Sequence, residues 1–153
     1  MDIIRTQNHE LISELNREVQ HIHAQMYPNH FKEHDHIAVS DFFKSIMTNP
    51  NYQFYIVEEQ GQEQGYIWME IKEHQENPFR KSYKSLYIHQ LNVIKAHRNQ
   101  GLGKQLMNKA YEIAAQNQIS KIEVDYWVNN EIAKNFYDKS GFITYREYRY
   151  KDL

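Results

Sequence analysis

The sequence contains no cysteine. That removes disulfides, thiolate metal sites and cysteine nucleophiles together. Three prolines and five glycines are all that punctuate 153 residues. No repeat, low-complexity tract or linker divides the chain, so residues 1–153 are expected to form a single domain. Neither sign of charge dominates: 18 Lys and Arg stand against 20 Asp and Glu, a net of −2. This argues against a broad nucleic-acid or anionic-membrane surface. No apolar run approaches the ~20 residues of a membrane span, and Met1-Asp2-Ile3-Ile4-Arg5 lacks a signal-peptide pattern. A soluble, cytoplasmic protein is expected, large enough to bury a core without a structural metal.

What is present is aromatic and periodic. Twelve tyrosines contribute to the 41% apolar content. Asp2 to Arg5 reads as a short strand. From His9, Leu11, Leu15, Val19, Ile22 and Met26 mark one helical face that Pro28 ends. A second helix carries Val39, Phe42, Phe43, Ile46 and Met47, with Ser40 as its expected N-cap. Tyr52–Val57 and Tyr66–Ile71 read as a hairpin, with Glu70 ending its second strand. Glu73 to Lys84 reads as a polar loop, and Leu86 to Ile94 as another strand. A helix with Leu102, Leu106, Ala110, Ile113 and Ala114 on one face follows. Lys121–Val128 alternates as a strand, Asn129 or Asn130 caps a last helix, Gly141 stops it, and Phe142–Tyr150 alternates as a final strand. The order is βααβββαβαβ, an α/β (α+β) domain. The expected sheet is mixed, mostly antiparallel, of six to seven strands with about four helices.

Chemistry concentrates at Arg98-Asn99-Gln100-Gly101-Leu102-Gly103-Lys104. Glycines between a strand and a helix expose backbone N–H groups beside the positive end of the helix, a cradle for a pyrophosphate. A Walker loop is excluded by Arg98 and Gln105 at its required glycine and hydroxyl positions. A dinucleotide fingerprint is excluded by Leu106 at its third glycine. The histidines His21, His23, His30, His34 and His36 match no zinc spacing, so no metal is expected.

The spacing Arg98-x-x-Gly101-x-Gly103, preceded by Leu91-x-Val93, resembles the acetyl-CoA loop of the GCN5-related N-acetyltransferase (GNAT) superfamily. Asn130-x-x-Ala133-x-x-x-Tyr137, then Gly141-Phe142, is similar to that family's second signature, and the element order resembles its fold over nearly the whole chain. The resemblance implies acetyl-CoA as cosubstrate. Its pyrophosphate would rest on backbone N–H groups from Gln100 to Lys104, flanked by Arg98 and Asn99. Its pantetheine would pair with Leu91, Asn92 and Val93, an N–H near Leu91 polarising the thioester carbonyl. Asn130 and Ala133 would adjoin the pantetheine, and Tyr137 would protonate the leaving thiolate.

His89, then Glu70, are the candidate bases, His89 at a place where some members carry a catalytic histidine. Tyr27, Phe31 and Phe43 are candidate walls of the acceptor pocket. Glu33 and Asp35 could attract a cationic amine. The implied function is N-acetylation of a primary amine, a small cationic one by preference, by direct attack in a ternary complex. A protein N-terminal or lysine acetyltransferase and an acyl-CoA sensor without turnover are the alternatives. The resemblance implies a homodimer as an option, and Tyr145, Tyr148 and Tyr150 read either as sheet faces or as a dimer seam.

Overall fold

A computed structural model describes all residues, Met1–Leu153. The elements are β1 (Asp2–Arg5), α1 (His9–Met26), α2 (His36–Ile46), β2 (Tyr52–Glu59), β3 (Gln62–His74), β4 (Tyr83–Val93), a 3-10 turn (Lys95–His97), α3 (Leu102–Gln116), β5 (Ile122–Val124) and α4 (Glu131–Lys139). The five strands form one sheet in sequence order. β1 to β4 are antiparallel neighbours, and β5 lies parallel to β4. Apolar stripes on the helices bury against both faces of the sheet. The larger core joins it to α3 and Tyr137, the smaller one to α1 and α2. No helix is long and apolar enough to cross a membrane.

Four expectations need correction. The strand expected over Phe142–Tyr150 does not form, so the sheet has five strands rather than six or seven. A strand needs a partner along its length, and the segment lies beyond β5, which is only three residues long. The strand expected over Lys121–Val128 shrinks to those three residues because pairing with β4 ends at Ile88 and Val124. The second helix begins at His36, not at Ser40. The Asp35 carboxylate accepts from the Ala38 N–H at 3.1 Å and caps it, while Ser40 is buried and bonds His9 Nδ1. The polar loop expected over Glu73–Lys84 is shorter at both ends: β3 runs on to His74 and β4 begins at Tyr83, leaving residues 75–82 as the loop. The His74 and Tyr83 rings stack 4.0 Å apart and carry the β3–β4 ladder outward, and Glu70 falls inside β3 rather than at its end.

A buried polar knot fixes α1 on the sheet. Asn16 Nδ2 donates to Tyr66 Oη at 3.0 Å and to Gln90 Oε1 at 3.1 Å, and Tyr66 Oη donates to Gln90 Oε1 at 2.6 Å. Asn92 Nδ2 reaches the Leu15 carbonyl. Burial raises the Tyr66 pKa, keeping the phenol a neutral donor. Truncating Asn16 removes two hydrogen bonds and leaves Tyr66 and Gln90 only each other, so Asn16→Ala is expected to cost about 1–3 kcal/mol, read from the midpoint of urea unfolding.

Candidate active site

The site begins where two strands part. β4 and β5 pair at three positions, ending at Ile88↔Val124. Beyond that point β4 continues to Val93, pairing only with β3. Its other edge, including Leu91, Asn92 and Val93, has no strand partner, the arrangement that an extended polar ligand could pair with.

The glycine loop follows this free edge. Gly101 adopts φ +86°, the left-handed region open to glycine, and no side chain caps α3. The Arg98 N–H bonds Lys95 O and the Gln105 N–H bonds Gly101 O. Between them, the N–H groups of Asn99, Gln100, Gly101, Leu102, Gly103 and Lys104 have no partner within the chain. Six consecutive unpaired donors at the positive end of a 15-residue helix fit an anionic phosphate group. A Cβ on Gly103 would stand 3.1 Å from the Phe136 ring, so α3 and α4 meet here with no room for a side chain. Arg98 is turned inward: Nε donates to Val93 O at 2.9 Å and Nη2 to Glu18 Oε1 at 3.2 Å. The other Glu18 carboxylate oxygen accepts from the Lys95 N–H. Arg98 thus braces the loop against α1.

The opposite wall carries Tyr137. Asn130 Oδ1 accepts from the Ala133 N–H at 3.1 Å and starts α4, placing Tyr137 two turns on. Tyr137 is 6% exposed. Its ring lies 5.9 Å from Tyr126, nearly parallel, and 5.3 Å from both Phe136 and Phe142. Burial, aided by the negative charge of Asp125, raises its pKa. The phenol therefore holds its proton throughout the physiological range.

On the α1–α2 side of the sheet, β4 gains one residue over β3: Trp68 pairs with Gln90 and Met69 with Ile88, leaving His89 as the extra residue of a bulge. His89 Nε2 lies 2.7 Å from Glu70 Oε2, which Lys72 approaches at 3.6 Å. The imidazole stacks on Trp68 at 4.3 Å and meets Tyr87 edge-on at 4.8 Å. Burial lowers the His89 pKa, and Glu70 opposes it. Burial prevails, so the ring is neutral near pH 7. With Nε2–H donated to Glu70, Nδ1 keeps a lone pair. The two candidate bases are thus one hydrogen-bonded unit.

Tyr87 Oη donates to Asp125 Oδ2 at 2.5 Å and clasps β4 to β5 where they begin to part. Sequence reasoning missed this clasp, the Trp68 stack and the Glu18 brace. Each depends on register between strands or on a helix docking far along the chain. Only alternation on β4 and β5, which puts Tyr87 and Asp125 on one face, hinted at any of them.

Tyr27 and Phe31 reach Trp127, at 4.6 and 5.0 Å between rings, and Tyr27 Oη accepts from the Asn129 N–H. They link the end of α1 and the loop after it to the turn that follows β5. Phe43 does not join them. It is 2% exposed within the smaller core, edge-on to Trp68 at 5.5 Å. As a pocket wall it is corrected: α2 points it inward, where it backs Trp68. Glu33 approaches His21, and Asp35 is occupied as a helix cap.

The comparisons with known proteins agree with this geometry. A relative from Lactobacillus delbrueckii subsp. lactis, described as an uncharacterized N-acetyltransferase, is 28% identical over 102 residues, covering 67% of this chain and 58% of that protein. The chain spans about half the length of the curated relatives it matches. The crystal structure of a mutant BH1408 protein from Bacillus halodurans superposes with a TM-score of 0.93 at 20% identity, over 100% of this chain and 99% of that one. AAC(6')-Iy in complex with the bisubstrate analogue CoA-S-monomethyl-acetylneamine superposes with a TM-score of 0.73 at 18% identity, over 99% and 97%. At such identities these likenesses are of fold. The model of the acetyltransferase (GNAT) family matches residues 16–142, so the parted strands, the glycine loop and the Tyr137 wall belong to a chain that is a member of that family.

Proposed function

We propose that this protein transfers an acetyl group from acetyl-CoA to a primary amine by direct attack within a ternary complex. One observation carries the reading: six unpaired N–H groups open the helix whose Gly103 packs on Leu91 of the strand edge left free beyond β5 and on Phe136, which adjoins the buried, protonated phenol of Tyr137. The relative named as an N-acetyltransferase and the fold neighbour holding a CoA bisubstrate analogue support it. Bound there, acetyl-CoA would supply an activated acetyl thioester.

Each residue then has a task. Asn99 to Lys104 bind phosphate oxygens through the backbone, so no side chain must carry the charge. The free edge at Leu91–Val93 pairs with the amides of an extended arm and aims an N–H at the carbonyl oxygen, where negative charge develops. His89 accepts a proton at Nδ1 from the amine, while Glu70 fixes the ring through Nε2. Tyr137 delivers a proton from Oη to the departing thiolate. Most of the rate comes from holding the reactants side by side.

The acceptor face favours a small cationic amine. Glu70, Glu123 and Asp125 lie on the β3–β5 face that also carries Trp68 and Tyr87. Carboxylates and aromatic faces together suit a desolvated ammonium group. Calorimetric titration with acetyl-CoA, followed by thiol release with a panel of amines, tests the proposal. Micromolar binding and amine-dependent thiol release are expected; binding without turnover on any amine would favour an acyl-CoA sensor, and no binding would end the reading.

The His89 assignment has a sign that can be checked. A histidine whose pKa is lowered by the fold is neutral, and active as a base, down to a pH below its ordinary 6.5. The acid limb of kcat/KM should therefore have its midpoint below that value and vanish in His89→Gln. An unchanged limb in the variant would exclude His89.

A further inference from the structure

The acceptor face already holds an ammonium group, and it belongs to the chain. Glu70 and Lys72 are two residues apart on β3, so both side chains rise from one face of the sheet. Glu70 lies opposite Tyr87 in the β3–β4 register, and Lys72 lies opposite Ser85. Ser85 is small, fully buried and bonded to His74. Above so small a neighbour the lysine stem leans diagonally across the ladder, a reach open to long side chains. Lys72 Nζ ends 3.8 Å from the centre of the Tyr87 ring and 3.6 Å from Glu70 Oε2.

We infer that Lys72 is a tethered competitor at the acceptor site: its ammonium fills the cation position, and a cationic acceptor binds by displacing it. This rests on the reading of the acceptor face given above. The two contacts are those that would receive a ligand ammonium, an aromatic face and a carboxylate. Both are fixed without Lys72. The Tyr87 ring is anchored through its hydroxyl on Asp125, and Glu70 is held by His89. Lys72 is the loosest member of the group. Glu70 Oε2 lies 2.7 Å from His89 Nε2 but 3.6 Å from Nζ, and that is the only ion pair Lys72 makes. Its side chain is 32% exposed. A compact ammonium on a flexible four-carbon stem can swing out into water from such a position. Burial does most to lower the His89 pKa and the Lys72 charge adds to it, so this ammonium is felt at the candidate base.

A tether sets a threshold. A group on a short flexible tether competes at an effective concentration on the order of millimolar. A free cation takes the position only by binding more tightly than Lys72 does at that concentration. A neutral molecule of the same shape makes neither contact and does not exchange with it. The arrangement reserves the position for ammonium groups. Between acceptors it also spares Glu70, which is mostly shielded from water, from standing without a counter-charge.

A chemical-shift titration of the full chain with n-butylamine at neutral pH, without acetyl-CoA, tests the inference; circular dichroism verifies folding. K72M keeps the stem over Tyr87 and removes the charge. K72R keeps the charge and can grip Glu70 with two N–H groups. K72M is expected to bind n-butylamine at least about tenfold more tightly than the wild type, and K72R no more tightly. n-Butanol, similar in shape but uncharged, should show no such gain. K72M binding the amine no better than the wild type, K72R gaining as much as K72M, n-butanol gaining as much as the amine, or no amine binding to any of the three proteins would overturn the inference. These titrations need no turnover, so the two readings fail separately. Tighter amine binding in K72M with no amine acetylated by either protein would end the acetyl-transfer reading and leave Lys72 as the tethered competitor.

Discussion

Tyr137→Phe is expected to lower kcat by about 10²–10⁴ while acetyl-CoA binds nearly as before. The variant isolates the proton. The ring of Tyr137 is held among Tyr126, Phe136 and Phe142, and phenylalanine keeps those contacts. The hydroxyl makes no hydrogen bond within the chain, so its loss strands no partner and should leave stability almost unchanged. Only the step that needs a proton on the departing sulfur should suffer. Stopped-flow or steady-state thiol release gives kcat, and calorimetry gives the affinity. Turnover near the wild-type value would remove Tyr137 as the acid.

The second large effect concerns affinity. Gly103→Val should weaken acetyl-CoA binding at least about 100-fold from a micromolar starting point, a loss of about 3 kcal/mol from about 8. The added Cβ would stand 3.1 Å from Phe136 Cε2 and 3.8 Å from Leu91 Cδ2. A branched side chain there forces Phe136 aside and fills the space between the helix start and the open strand edge. Overpacking should also cost about 1–3 kcal/mol of stability, so folding must be verified by circular dichroism before the titration is read. A folded variant that binds as tightly as the wild type would show that the loop is not the cradle.

Sequence reasoning singled out Tyr137 and the Gly101–Gly103 turn because their signals are local. A glycine that turns the chain through positive φ at Gly101, and a register running from the cap at Asn130 to Tyr137, are written within a few residues. The pairing of His89 with Glu70 is different. Each was a candidate base, but their union needs the β3–β4 register and the bulge that frees His89, which lie in partners nineteen residues apart. Phe43 was misplaced because a helical stripe does not say which layer it faces. The missing final strand failed for the deepest reason: alternation at Phe142–Tyr150 specifies an edge able to pair, not the presence of a partner. The N-cap of α2 was misread because Asp35 and Ser40 are both good caps, and only the bond to Ala38 decides.

The three-rung seam between β4 and β5 has one more consequence. Where β3 and β4 are joined along ten paired positions, β5 is joined to β4 by three and the Tyr87–Asp125 clasp, and the helix after it is held by the packing of Tyr137 and Phe136 on the main core. The short β4–β5 ladder is thus expected to open more readily than the long β3–β4 one, as faster amide exchange along β5 than along β3 would show. A ligand bridging the gap would substitute for the absent rungs and close the sheet on both sides. Bound as proposed, acetyl-CoA would be a temporary strand, and its concentration would set how much of the population is fully zipped.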